Sequence, residues 1–138
     1  MAQALILDSE ALNALANPSS RASLFERARA ILLVARDSGA LVRVPAAVLA
    51  ELYRGPRFDA PLDHLLNSRG ILVSDLSRSL ARSAGHLLAK SKLSSAHAVD
   101  AFVVATALSF DSAVIATGDP TDIRRLAAPF KQIQVFPL

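Results

Sequence analysis

The sequence predicts an α/β fold in which a parallel sheet is covered by helices on both faces. Short, β-branched apolar runs alternate with longer segments of helical periodicity from one end of the chain to the other. Those runs are continuous rather than alternating, "ALIL" at 4–7 and "AVIA" at 113–116 being the clearest, which is the pattern of strands buried on both faces. The 138 residues contain no repeat, low-complexity tract or linker, so residues 1–138 are read as a single domain.

The elements follow in order. Residues 4–7 form the first strand, which ends at Asp8. A short helix over 9–16 is stopped by Asn17-Pro18. Leu24, Ala28, Ile31, Leu32 and Ala35 mark one face of a helix over 21–37, and Ser38-Gly39 ends it. Residues 41–44 are the second strand; Pro45 suits the first position of a helix reaching Tyr53, which Gly55-Pro56 breaks. A weaker helical pattern over 60–69 and the turn residue Gly70 lead into a strand at 71–73. Helical spacing returns over 77–89, and Ser94-Ser95 offers a cap for a helix over 96–109. The strand at 113–116, a helix over 120–127 and a strand at 134–136 complete the chain.

Composition narrows the function classes. Hydrophobic residues make up 52% of the chain, enough for a sizeable core. Mean hydropathy is +0.37, yet the apolar runs, such as 30–35, are far too short to span a membrane. The N-terminus lacks a basic segment and meets Asp8 and Glu10 almost at once, unlike a secretory signal, so a cytoplasmic location is expected. The absence of cysteine excludes disulfides, zinc–thiolate sites and thiol chemistry. Fifteen bases against twelve acids give a net charge of +3, and twelve of the bases are arginine, whose planar fork grips phosphate. With six Phe, one Tyr and no Trp, there is little to build a base-stacking platform, so contact with nucleic acid would run through the phosphate backbone.

Five acids stand out by position. Asp8 and Asp119 each lie just past a predicted strand, on the rim where parallel sheets gather ligands. Each also suits a helix cap, and Asp122 lies three residues beyond Asp119 on the same side of the helix that follows. Glu51, in "VPAAVLAELYRG", would be ordinary by itself. Asp100 is the one formal charge in "AHAVDAFVVATALSF", a helix apolar enough to be buried. A buried carboxylate must be ion-paired, hydrogen-bonded or bound to metal. An arginine partner would satisfy it without any function, and His97, one turn earlier, either supports Asp100 or simply packs. If the five converge, their repulsion is tolerable only with hard, oxygen-seeking cations such as Mg²⁺ or Mn²⁺. Removing these five from twelve acids leaves seven against fifteen bases, or +8, so an acidic pit would lie within a basic surface.

The segments "LILDSEAL", "PAAVLAEL", "AVDAFVVATAL" and "VIATGDPTDIRRL" resemble, in order, the acidic motifs of PIN-domain ribonucleases, especially the VapC-type toxins of toxin–antitoxin systems. The resemblance spans essentially the whole chain. It implies a three-layer α/β/α sandwich with a central parallel sheet of about five strands. It also implies Asp8, Glu51, Asp100 and Asp119 as catalytic, metal-binding acids, with Asp122 as a further ligand. Ser9 and Thr117 match the family's hydroxyl positions, and Arg54 and Arg124 become candidate substrate contacts, as do Arg57 and Arg125. The implied reaction is hydrolysis of RNA phosphodiesters with one or two Mg²⁺ or Mn²⁺ ions, a metal-activated water attacking phosphorus in line. The implied partners are an antitoxin that plugs the pit and a second copy of the chain; Leu24, Phe25, Ile31 and Leu32 would serve either the core or that dimer surface. "GDP" after Thr117 departs from the pattern, which leaves open which of Asp119 and Asp122 is the main ligand of the last motif.

Two other readings remain at this point. A phosphatase using Asp8 as nucleophile would want a second Asp at the position held by Glu10. A catalytically silent PIN-like module that binds RNA or protein would have no reason to keep the mutually repelling acids.

Overall fold

All five strands pair in parallel, in the order β3-β2-β1-β4-β5. They are β1 (Gln3–Leu7), β2 (Leu41–Pro45), β3 (Ile71–Ser74), β4 (Ser112–Thr117) and β5 (Ile133–Pro137). The computed structural model describes residues 3–68 and 70–138. The helices are α1 (Ser9–Ala16), α2 (Ala22–Asp37), α3 (Ala46–Leu52), α4 (Pro56–Leu66), α5 (Arg78–Ser91), α6 (Ala98–Leu108) and α7 (Pro120–Ala127). The α/β sandwich expected from the sequence is thus the observed fold, down to the number of strands.

The central strand explains the layering. Ala4, Leu5, Ile6 and Leu7 of β1 are all buried, whichever face of the sheet they point to, so both faces are covered. Against one part of the sheet, α2 packs on β1 and β2; elsewhere α6 lies across β1, β2 and β4, backed by α5 and α7. The near-continuous apolar character of α6 has the predicted cause: Ala101, Val103, Val104, Ala105 and Ala107 are all buried. Thr106 joins them by donating its hydroxyl to the Phe102 carbonyl at 2.8 Å, which satisfies the one polar group in that stretch. Of the α2 side chains proposed for a surface, Leu32 is in the core, and Leu24, Phe25 and Ile31 pack partly buried against it.

Chain direction fixes where a site can form. From β1 the chain moves outward through β2 to β3, then returns to β4 and moves outward to β5 on the other side. The order therefore reverses between β1 and β4, and the crevice at their carboxyl ends is the expected ligand position. Leu7 pairs with Ala116, and the Asp8 amide still donates to the Ala116 carbonyl at 3.2 Å. The ends of β1 and β4, and hence Asp8 and Thr117, are held side by side.

Three of the boundaries that differ from the sequence expectation have a clear cause. Pro45 is the residue before α3 rather than its first, because it still pairs with Ser74 as the last residue of β2. The helix expected from residue 60 starts at Pro56. Gly55, with φ of 120°, turns the chain there, and the Asp59 carboxylate accepts the amides of Arg54 and Gly55 at 3.0 and 3.2 Å. Asp59 so holds the turn that reads in sequence only as a break, and Pro61 is carried inside the helix. Finally, the helix expected from residue 96 opens as a single 3₁₀ turn over Ser95–His97, capped by the Ser94 hydroxyl, before α6 begins. That turn places His97 at the mouth of α6, beside Asp100.

Candidate active site

Asp8 lies at the N-cap of α1, its Oδ1 accepting the Ala11 amide at 3.2 Å. The capping role anticipated for it is therefore real, and it coexists with a second one. Asp8 is only 8% exposed, and burial pushes its carboxyl up to about 6 from 3.8. The Thr117 hydroxyl and the Ala11 amide act against that rise by hydrogen bonding, whereas the negative charges of Glu10 and Asp100 add to it.

Asp100 occupies the first turn of α6 and is partly buried. Its carboxyl is likewise pushed up to about 6, first by desolvation and then by the charges of Asp122, Glu51 and Asp119. The single group drawing it down is His97. Among the described residues, no arginine or lysine is among the groups acting on either carboxylate. Asp100 thus lies within electrostatic reach of Glu51, Asp119 and Asp122, and Asp8 within reach of Asp100, although these acids come from the ends of β1 and β4 and from α3, α6 and α7.

The remaining acids differ in setting. Glu51 is exposed on α3, and Asp119 is exposed at the N-cap position of α7 but makes no side-chain cap bond. Its amide instead donates to the Thr117 hydroxyl oxygen at 3.1 Å, which shapes the loop and leaves the carboxylate unused by the cap. Asp122, in the first turn of α7, has Oδ2 at 3.2 Å from His97 Nδ1. One ligand atom from each of His97, Asp100 and Asp122 lies within 4.8 Å of the others, a spacing that a single cation can span.

Thr117, expected to touch substrate, is fully buried at 0% exposure, so it acts through Asp8 and the Asp119 loop instead. Ser9 is partly exposed at the start of α1. Arg54 is exposed and its guanidinium donates to the carbonyls of Ala50 and Tyr53 at 2.8 and 2.7 Å, at the end of α3. Arg124 is exposed on α7.

Two residues do more than the sequence reading assigned to them. Glu10 lies directly over Gly118: a Cβ added to that glycine would land on the Glu10 carboxylate. The first acidic segment is thereby seated on the last, in space that only glycine leaves open. His97 is the other, noted in sequence only as a neighbour of Asp100. Its pairing across to α7 had no local signal beyond the helical spacing.

The donor set is carboxylates with one imidazole, which suits a divalent cation such as Mg²⁺ or Mn²⁺. The PIN domain family matches residues 5–129 of this sequence. The chain belongs to the PIN-domain family. Among solved structures, this PIN domain is similar to a chain in the crystal structure of VapBC2 from Rickettsia felis bound to a DNA fragment from their promoter. The TM-score is 0.65 over 98% of both chains at 16% identity, which establishes a shared fold. No curated protein sequence matches it. Among the described residues, no helix of this PIN domain is long and apolar enough to cross a membrane.

Proposed function

We propose that this PIN domain is a metal-dependent endoribonuclease, the toxin of a toxin–antitoxin pair acting in the cytoplasm. The observation carrying the proposal is that Asp8 and Asp100, far apart in the sequence, lie close enough for the charge of one to act on the other, and that both carboxyls are pushed up to about 6, chiefly by burial, with further acids adding to the rise. Such an arrangement weakens the metal-free fold and finds its compensation in a bound cation.

In this reading Asp8, Glu51, Asp100, Asp119 and Asp122 hold the cation, with Asp8 oriented by the Ala11 amide and the Thr117 hydroxyl. A divalent cation, when bound there, supplies positive charge to phosphate oxygens and a water acidic enough to attack phosphorus at neutral pH. Arg54 and Arg124 offer charge to the flanking phosphates, and Ser9 offers a hydroxyl at the rim. The chain provides no cysteine nucleophile, in keeping with direct attack by water. The chain's positive excess, with twelve arginines among its fifteen bases, attracts a polyanion.

The similarity in fold to a chain of a VapBC complex supports an antitoxin as partner. Leu33 and Val34, exposed on α2 at 43% and 63%, give apolar surface for such a partner or for a second copy of the chain.

The test is cleavage of single-stranded RNA by the purified chain with Mg²⁺ or Mn²⁺, with EDTA, and with the Asp100→Asn variant. Cleavage is expected only in the first case. Cleavage that persists in the folded variant refutes the assignment of Asp100. RNA binding without cleavage, together with no thermal response to either cation, identifies a silent binding module instead.

A further inference from the structure

Hard carboxylate oxygens alone would make this site a general one for Mg²⁺ and Mn²⁺ alike. The histidine changes that chemistry. His97 is carried on the 3₁₀ turn before α6, and its ring is held against α7 by the 3.2 Å contact between Nδ1 and Asp122 Oδ2. Its side chain is 31% exposed, so the ring is not sealed in the core. Its ligand atom, one oxygen of Asp100 and one of Asp122 form a triangle no wider than 4.8 Å. The two other histidines, His64 on α4 and His86 on α5, are exposed and outside this group.

We propose that His97 is a nitrogen ligand of the site, completing a mixed imidazole–carboxylate set with Asp100 and Asp122 that selects Mn²⁺ over Mg²⁺. The inference rests on the metal-dependent reading above and deepens it. Mn²⁺ shares the preference of Mg²⁺ for carboxylates but, as a transition ion, accepts an imidazole nitrogen, whereas Mg²⁺ demands oxygen donors and gives up its water reluctantly. A single nitrogen donor therefore separates two cations that an all-carboxylate pit would treat similarly. The contact with Asp122 fits a shared ligand set: Nδ1 already lies beside a carboxylate oxygen of the same group, so a cation entering there meets both donors at once.

The experiment is electron spin echo spectroscopy of Mn²⁺ bound to the full chain. It is paired with competition between Mn²⁺ and Mg²⁺ followed by the shift in melting temperature. Modulation from imidazole ¹⁴N is expected in the native protein. It should change frequency when the chain is grown with ¹⁵N-histidine, a readout that needs no mutation. It should vanish in His97→Gln, with Mn²⁺ affinity falling by about tenfold or more while Mg²⁺ affinity changes by less than about twofold. Mn²⁺ bound at the site without histidine modulation overturns the inference and leaves the metal-dependent reading standing. Equal loss of both cations in His97→Gln overturns the selectivity. Absence of any bound Mn²⁺ or Mg²⁺ overturns both the inference and the reading beneath it.

Discussion

Replacing Asp8 by asparagine removes a negative charge from the most buried acid of the site while keeping an oxygen for the Ala11 amide. In the folded chain the Asp8 carboxyl is pushed from 3.8 to about 6, chiefly by burial. A shift of about two units corresponds to at most about 3 kcal/mol. The native state holds this proton more tightly than the unfolded chain, so raising the pH from about 4 to about 7 costs the metal-free wild type stability. The asparagine variant has no such charge to bury and does not share that loss.

In EDTA at about pH 7.5 we expect Asp8→Asn to be more stable than wild type by roughly 1–3 kcal/mol, the lower figure allowing for an altered bond to Thr117. The gap should close below about pH 3, where wild-type Asp8 is protonated in both states. Urea unfolding at several pH values measures it, and RNA cleavage by the variant should be lost. A variant less stable than wild type at about pH 7.5 without metal, or a difference that ignores pH, would refute the argument that Asp8 is a strained charge.

Three further outcomes follow from the same geometry. Thr117→Val removes a buried hydroxyl that serves both Asp8 and the Asp119 amide; it should cost about 1–3 kcal/mol in urea unfolding and push the Asp8 carboxyl higher still, which NMR titration would detect. Gly118→Ala drives a methyl into Glu10, whose own Cβ would lie 2.9 Å away even after the carboxylate swings aside. It should therefore destabilise the chain by about 1–3 kcal/mol, with partial recovery on adding Glu10→Ala; an unaltered melting temperature in Gly118→Ala would contradict the contact. Saturating Mn²⁺ should raise native stability by about 2.7 kcal/mol at a concentration of roughly a hundred times Kd, and Asp100→Asn should abolish most of that gain in a thermal melt.

The local sequence of this chain determined its elements, because strand and helix signals are short-range. Four-residue apolar runs, Ser77 capping α5 and Gly39 in the left-handed conformation past α2 are each decided by neighbours within a turn or two. Asp100 was conspicuous for the same reason, as a lone charge in an apolar helix. Boundaries were lost where a cap comes from further along: the start of α4 depends on Asp59 reaching back to Arg54 and Gly55. Tertiary structure alone decided which side chains meet. The reversal of strand order sets Asp8 beside Thr117, the packing of α6 against α7 brings His97 to Asp122, and the close approach of α1 to the β4–α7 loop lays Glu10 on Gly118. Such contacts join residues about a hundred positions apart in two of the three cases, and charge repulsion and ligand geometry depend on distance in space, to which a linear pattern is blind.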